Sequence, residues 1–480
     1  MKRLILHLIM EEEFDSYSDE DDYTASINRF EKMLTDNKHY FFDVEEFEDL
    51  INHYLDINEL KKAKQAIEIS LEQHPSSSTL KIKQAEYLAS THKPNKALEI
   101  LNSIEHIEPF NSDNYLLKAN IYSQIRQHNK SIETLYKALK ITHDRSEKAS
   151  ILIHIAFEYE NLNHYDKAIT ILKQILIENP DNETVLYEIA FCFNLKDDLE
   201  NSIIFFKEFI DEYPYSYAAW YNLGVIYNRA DLFEKAIDAY DYAIAIKEDF
   251  ASAYFNKANA LAQLGLYNKA IETYEETFQY EEPDAITYYY IGECYENTDE
   301  PQKALANYHK ATKLDPFCAD AWAGIAVIHD LNDKKSASLF YIKKAIDLEY
   351  SNSEFWHIYA DILSKQGFYD EALAAYYKVI EMDEENEDVW IDIAESARIN
   401  ENIERGITLL LEGIEKQPLN HSIRARLVCY YLQLGKINQA SEQLVIVLTK
   451  EPDLIDELID FYPEALNYSQ IVEIIENFSK

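Results

Sequence analysis

Residues 217–250 read YAAWYNLGVIYNRADLFEKAIDAYDYAIAIKEDF, two apolar patterns joined by a short polar segment. Apolar residues recur in each half at spacings of three and four, at Trp220, Leu223, Gly224 and Tyr227, then at Ala236, Tyr240 and Ala243. This spacing places side chains on one face of an α-helix. The segment therefore predicts two amphipathic helices joined by a turn.

The same pattern returns every 34 residues. With one shift of three residues, segments in phase begin at Val44, Ser78, Ser112, Ala149, Glu183, Tyr217, Ala251, Ala285, Ala319, Ser353, Glu387 and His421. Position 20 holds only small residues, from Ala63 to Ala440, whereas position 24 is always large and apolar. Small residues let two helices approach closely, and the large ones fill the space beside them. Each pair leaves an apolar face that only the next pair can cover, which predicts a stacked array.

Proline, glycine and tryptophan follow the same period. Prolines stand at position 32 in seven repeats: Pro75, Pro109, Pro180, Pro214, Pro316, Pro418 and Pro452. Proline cannot continue a helix, so these residues separate consecutive repeats. Gly265, Gly367 and Gly435 fall in the turn between paired helices, and all four tryptophans share position 4.

Residues 44–454 thus resemble the tetratricopeptide repeat (TPR) family, with Trp at position 4, Gly or Ala at 8, Tyr at 11, Ala at 20 and 27, and Pro at 32. The resemblance implies an all-α fold, a right-handed superhelical α-solenoid of about twelve helical hairpins. Lys81 and Arg424 depart from the pattern at the tryptophan position.

The chain divides into four parts on this interpretation. Residues 1–43 form an acidic leader, disordered over residues 11–22, plus a capping helix around residues 25–35. Repeats 1–3 span residues 44–148, repeats 4–12 span 149–454, and capping helices span 455–480. The insertion at residues 142–148 lengthens one loop between repeats, and that loop is either a hinge or a longer surface loop.

The charge of the chain restricts its partners. Acidic residues outnumber basic ones by 87 to 45, a formal net charge of −42. Such a field repels phosphate backbones and anionic lipids and attracts basic proteins. We therefore expect no nucleic acid and no membrane as partner. The charge also keeps a long solenoid soluble, and the two interpretations stay open.

The cysteines indicate a reducing compartment. Cys192, Cys294, Cys318 and Cys429 form no CxxC pair and have no histidine at metal-ligand spacing. The short apolar run before Met10 lacks the features of a signal peptide. We expect a cytoplasmic protein without a metal site.

Catalytic motifs are absent from the sequence. There is no GxxxxGK[ST], GxSxG, HExxH or EF-hand loop. Only short segments remain outside the repeats, too little for a catalytic domain. We predict a protein that is not an enzyme and that uses no cofactor and no small-molecule substrate.

In the TPR family, the first helices line a concave groove, and positions 2, 5, 9, 12 and 13 point into it. The residues that the resemblance places there include Phe157, Tyr187, Phe191, Tyr221, Asn228, Phe255, Asn259, Tyr289 and Glu293. Aromatic rings of this kind serve as anchors for partners or as packing between helices, and both interpretations stay open. Carboxylates follow in later repeats, at Glu296, Asp320, Asp330, Glu354, Asp361, Asp388 and Glu395.

The pattern predicts a scaffold or adaptor that binds a protein or peptide segment, basic and apolar, in this groove. Two alternatives are a structural protein that self-associates and a regulatory subunit of an enzyme encoded elsewhere. The sequence does not determine the oligomeric state.

Overall fold

The computed structural model describes residues 19–36, 39–400 and 402–478. In these ranges the chain forms 27 α-helices and one 3₁₀ helix, and no β-strand. None of the helices found there has both the length and the apolarity that crossing a membrane requires. The all-α prediction is confirmed.

Helix α1 spans Asp19–Asp36, and twelve helical pairs follow it. The pairs are α2–α3 (Val44–Asp56, Leu60–Gln73), α4–α5 (Ser78–Ser90, Pro94–Ile107), α6–α7 (Ser112–Gln124, His128–Ile141), α8–α9 (Arg145–Asn161, Tyr165–Glu178), α10–α11 (Glu183–Lys196, Leu199–Glu212), α12–α13 (Tyr217–Arg229, Phe233–Ile246), α14–α15 (Ala251–Gln263, Tyr267–Thr277), α16–α17 (Ala285–Asn297, Pro301–Leu314), α18–α19 (Ala319–Leu331, Lys335–Leu348), α20–α21 (Ser353–Gln366, Tyr369–Met382), α22–α23 (Val389–Asn400, Ile403–Lys416) and α24–α25 (His421–Gln433, Ile437–Lys450). Helix α26 spans Leu454–Phe461, the 3₁₀ helix spans Pro463–Asn467, and α27 spans Ser469–Phe478.

Polar caps start most first helices. The residue before the helix accepts a hydrogen bond from a backbone N–H of the first turn in nine of them: Asp43, Ser77, Asn111, Asp144, Asn182, Ser216, Asp284, Asn352 and Asn420. Each cap satisfies one of the backbone donors that a helix start leaves unpaired. In eight of the nine, the cap falls directly before position 1, so the capping chemistry has the period of the core, whereas Asp144 lies five residues before Ala149 because α8 begins earlier.

The turn inside each pair also repeats one conformation. A left-handed residue stands at position 15 in eleven repeats: Asn58, His92, Arg126, Asn163, Asp197, Asp231, Gly265, Asp299, Asp333, Gly367 and Gly435. Glycine adopts this region without strain, and Asn and Asp tolerate it. The three turn glycines found in the sequence therefore mark a conformation that eight other residues share.

Small residues hold the helices of a pair close together. A Cβ added to Gly292 in α16 would lie 2.6 Å from the ring of Tyr308, and one added to Gly324 in α18 would lie 2.6 Å from the same ring. Tyr308 is thus fixed between two glycines of neighbouring repeats. Gly413 has the same relation to Trp390, at 2.8 Å.

The tryptophans at position 4 connect consecutive repeats. The indole Nε1–H donates to the backbone oxygen six residues earlier in three of them, Trp220 to Pro214, Trp322 to Pro316 and Trp356 to Tyr350, each at 2.9 Å. The loop between two repeats thereby has one carbonyl satisfied by the next repeat.

The chain divides into two compact units, residues 1–230 and 231–480. Within each unit, consecutive helices pack against each other, and first helices of neighbouring pairs touch, as α10 touches α12 and α18 touches α20. The core of each unit is a series of buried apolar clusters between adjacent pairs.

Two sequence predictions need correction. The insertion at residues 142–148 does not make a long loop, because α8 begins at Arg145, and Asp144 accepts a hydrogen bond from the Glu147 amide at 2.9 Å. The added residues lengthen the helix instead. Residues 19–22 belong to helix α1 rather than to a disordered leader. The rest of that leader, residues 1–18, lies outside the described residues.

Candidate functional site

The candidate site consists of side chains at positions 2, 5, 6, 9 and 12 of the first helices, which we call the first-helix surface. Its two parts lie in different units and are described separately. The first part belongs to α8, α10 and α12, and the second belongs to α14, α16, α18, α20 and α22.

In the first unit, an open cavity of about 200 Å³ lies between α10, α11 and α12. Tyr187 and Phe191 line one side of it, and Val225 and Asn222 line the other. Phe191 is 48% exposed, and Phe157 in the preceding first helix is 37% exposed. Exposed aromatic rings around a concave, mostly apolar space are suited to hold an apolar side chain of a partner.

Tyr187 also touches the predicted site residue Tyr221. Their ring centroids lie 6.0 Å apart at an interplanar angle of 73°, an edge-to-face contact. Burial raises the pKa of Tyr187, and the neighbouring Tyr217 and Tyr221 add to the effect. Asn228 belongs to the same helix as Tyr221, and its Oδ1 atom is buried without a hydrogen-bond partner.

A carboxyl group with a raised pKa, that of Glu160, lies in the same unit. Burial raises the pKa of Glu160 to about 7, the Cys192 thiol beside it lowers that pKa, and Glu188 raises it. The Cys192 thiol donates to Glu160 Oε1 at 3.1 Å. Glu160 therefore changes its protonation state near neutral pH.

In the second unit, Phe255 and Asn259 are largely occupied by internal contacts. Phe255 packs edge-on against Tyr274 and Tyr290, at 5.6 and 5.8 Å between centroids. The Tyr274 hydroxyl donates to Asn259 Oδ1. Packing between helices, one of the two interpretations that the sequence left open, thus accounts for part of the contacts of these two side chains.

Several carboxylates act electrostatically on Tyr289. Burial raises its pKa first, and the charges of Glu293, Asp320 and Glu354 raise it further. The pKa of Glu293 is raised by burial and by Glu296, Glu354 and Asp320. The three carboxylates Glu293, Asp320 and Glu354 come from three successive first helices, and in the described part of the chain none of them forms an ion pair.

Other carboxylates predicted for the groove are neutralised within the chain. Asp330 pairs with Lys365 at 2.9 Å, and Glu395 pairs with Arg398 at 2.6 Å. Glu293, Asp320 and Glu354 have no such partner in the described residues, and the same holds for Asp361 and Asp388 farther along the chain.

Farther along, three side chains from two repeats come together in a mixed cluster. His357 Nε2 and Asp392 Oδ2 lie 2.9 Å apart, and Asp361 Oδ1 accepts a hydrogen bond from the Tyr376 hydroxyl at 2.6 Å. One possible donor atom from each of His357, Asp361 and Asp392 lies within 4.8 Å of the others. Among the described residues, this group of His, Asp and Asp side chains is close enough together to hold a metal ion.

Sequence reasoning missed several of these residues. His357, Asp392, Val225 and Asn222 did not stand out, because positions 5, 6 and 9 vary from repeat to repeat and each residue is ordinary in its own helix. Superposing the repeats by phase would have placed His357 at position 5, Asp361 at position 9 and Asp392 at position 6 of the next repeat. The sequence did not tell which side chains of adjacent first helices contact each other.

Stacked helical pairs with a free first-helix surface define the chain as a helical repeat protein of the interaction-scaffold class. Seven segments match the tetratricopeptide repeat family: residues 112–144, 149–182, 184–216, 206–253, 251–282, 285–318 and 353–386. The chain belongs to this family. Its repeats are typically protein-binding modules rather than catalytic ones.

Similar solved structures include the crystal structure of the APC/C hetero-tetramer Cut9–Hcn1, which is 14% identical in sequence. The alignment spans 83% of this chain and 91% of the other chain, and its TM-score is 0.43. Two crystal structures of MamA are 21% and 22% identical, cover 35% and 34% of this chain and 92% and 95% of theirs, and both have a TM-score of 0.31. Comparison with the curated proteins gave no match.

Proposed function

We propose that this protein is a non-enzymatic scaffold that binds a segment of a partner protein along the first-helix surface. The segment carries Lys or Arg side chains next to apolar ones. The observation that carries the proposal is the set of three carboxylates, Glu293, Asp320 and Glu354, which raise the pKa of Tyr289 and form no ion pair in the described residues.

The electrostatics of this group favour a cationic guest. Like charges that lie close together repel, and burial raises the cost of keeping them ionised. The raised pKa of Glu293 and of Asp320, caused first by burial and then by neighbouring carboxylates, reports that cost. A Lys or Arg side chain placed among them would relieve the repulsion and gain charge-assisted hydrogen bonds.

The first unit offers an apolar binding place of its own. In the first unit, the cavity of about 200 Å³ beside Phe191 is larger than a cavity of about 150 Å³ known to hold benzene. It has room for one large apolar side chain. Anchors of this kind contribute much of the binding energy of protein interfaces, and surrounding polar contacts set orientation.

The proposal extends to the compartment. All four cysteines are free thiols, and Cys192, Cys294 and Cys429 are buried. Burial raises the pKa of Cys294 to about 12, so its thiolate is scarce at neutral pH and it is a poor nucleophile. Such cysteines suit a reducing cytoplasm, where we place the protein.

A random peptide library displayed on phage and selected against the immobilised full chain tests the proposal. We expect enriched peptides with Lys or Arg beside aromatic or aliphatic residues. The variant Glu293→Gln/Asp320→Asn/Glu354→Gln should bind the enriched peptides roughly tenfold to a hundredfold more weakly by fluorescence anisotropy, since each exposed pair contributes up to about 1 kcal/mol.

The matched control is Phe340→Ala in α19. Phe340 is 64% exposed but stands on a second helix, so peptide affinity should not change. Removing charges that repel one another should not lower the melting temperature. Peptides without basic residues, or equal affinity for the triple variant and the unaltered chain, would contradict the proposal.

A further inference from the structure

The cluster of His357, Asp361 and Asp392 is distinct from the carboxylates around Tyr289. His357 and Asp361 are one helical turn apart on α20, so both side chains lie on the same face of that helix. Asp392 comes from α22, the first helix of the next repeat. The stacking of two repeats therefore sets the distance between the three side chains, and all three are half-buried.

Hydrogen bonding within the protein leaves this group incompletely satisfied. The His357 ring bonds Asp392 through Nε2 at 2.9 Å, and one ring nitrogen cannot serve both carboxylates well. The bond that Asp361 accepts comes from a neutral phenol, Tyr376. Lys365, one turn farther along α20, is held by Asp330 at 2.9 Å. Two carboxylates thus face one imidazole, and negative charge is in excess.

We propose that His357, Asp361 and Asp392 form a binding site for a divalent transition-metal ion, with Zn²⁺ the best fit. One imidazole nitrogen and two carboxylate oxygens are ligands that Zn²⁺ accepts. Around an ion with ligands at about 2.1 Å, neighbouring donors lie about 3.0 to 3.4 Å apart. The 2.9 Å separation of His357 Nε2 and Asp392 Oδ2 is close to that, and all three donors lie within 4.8 Å, so small side-chain rotations complete the site.

Tyr376 acts as a positioning residue. Its hydroxyl holds Asp361 Oδ1 at 2.6 Å, which leaves the other carboxylate oxygen for the ion. Its ring also packs edge-on against His357, with centroids 5.9 Å apart. Neighbours that orient ligands in this way are a regular part of metal sites. Three protein ligands leave at least one coordination position for water or for a donor from a partner.

The test is isothermal titration of the EDTA-treated full chain with ZnCl₂, in an excess of MgCl₂ that occupies diffuse acidic sites. We expect one saturable ion per chain. Each of His357→Asn, Asp361→Asn and Asp392→Asn should weaken binding by more than tenfold, and Tyr376→Phe should weaken it by about tenfold. Replacing Zn²⁺ with Co²⁺ should give visible absorption bands that disappear in His357→Asn.

Asp388→Asn is the matched control. It removes the same charge from the same neighbourhood, on an exposed residue that supplies no donor to the cluster, and should leave the affinity unchanged. Circular dichroism without metal checks that each variant is folded, and two other ligand variants remain if one of the three is not. The absence of a one-to-one site, or equal weakening by Asp388→Asn and Asp361→Asn, would overturn the proposal.

Discussion

The left-handed turn residue at position 15 shows how single residues keep the repeats in phase. Gly265, Gly367 and Gly435 use glycine there, whereas His92 and Arg126 hold the same conformation at a cost. The sequence revealed only the glycines, because the other residue types occur at many backbone conformations.

Gly435→Ala should lower stability by about 1 to 2 kcal/mol, because an added Cβ meets no neighbouring atom and the cost is purely that of the backbone. Arg126→Asn should raise the melting temperature slightly, since Asn tolerates φ of +59° better. Differential scanning calorimetry of both variants measures this. A Gly435→Ala protein as stable as the unaltered chain would show that the turn is not under this constraint.

The glycine pair around Tyr308 makes a sharper prediction about packing. Gly292→Ala places a Cβ 2.6 Å from the Tyr308 ring, and the ring has little room to move away because its other edge lies against Gly324, where a Cβ would also be 2.6 Å from the ring. We expect a loss of about 1 to 3 kcal/mol in urea unfolding.

Tyr308→Leu in the same chain should recover part of that loss, because it removes the ring that the new methyl meets. If the effects of the two substitutions simply added, the clash would not be the cause.

At the scale of helices, the sequence predicted the pairs well because size and polarity recur together over twelve repeats. It failed at residues 142–148, where a longer loop and a longer helix fit the same residues, and the cap at Asp144 decides between them. It also could not distinguish rings that stack internally, such as Phe255, from exposed ones such as Phe191, since that depends on contacts between helices.

Glu160, near the C-terminal end of α8, gives the stability of this region a pH dependence. Its pKa in the folded protein, about 7, lies above the ordinary value of 4.5, so the folded state binds the proton more tightly than the unfolded state does. The stabilisation is fully present below about pH 4.5 and is lost as pH rises through 7.

Glu160→Gln keeps a neutral side chain at all pH values, so it should raise the melting temperature at pH 8 and change it little at pH 4.5. Thermal melts of both proteins at the two pH values measure the difference. An increase of equal size at both would show that ionisation of Glu160 is not responsible.

At the scale of the whole molecule, the charge of −42 should govern how fast partners arrive. Encounter between an acidic surface and a basic segment is steered over distances near the Debye length, about 10 Å at 0.1 M salt. The association rate of an enriched basic peptide should therefore fall steeply between 0.05 and 0.5 M NaCl, roughly tenfold or more, while its dissociation rate changes less.

Stopped-flow fluorescence at several salt concentrations measures both rates. If the association rate did not depend on salt, the charge would serve solubility alone, the other interpretation that the sequence left open.

The central claim is that partners bind the first-helix surface and not the second helices. Two exposed phenylalanines allow a direct comparison: Phe191 on α10 is 48% exposed and Phe340 on α19 is 64% exposed. A photocrosslinking benzoylphenylalanine at either position, irradiated with a bound peptide from the selection, should crosslink from position 191 and not from position 340. Crosslinking from position 340 alone, or equally from both, would contradict the account.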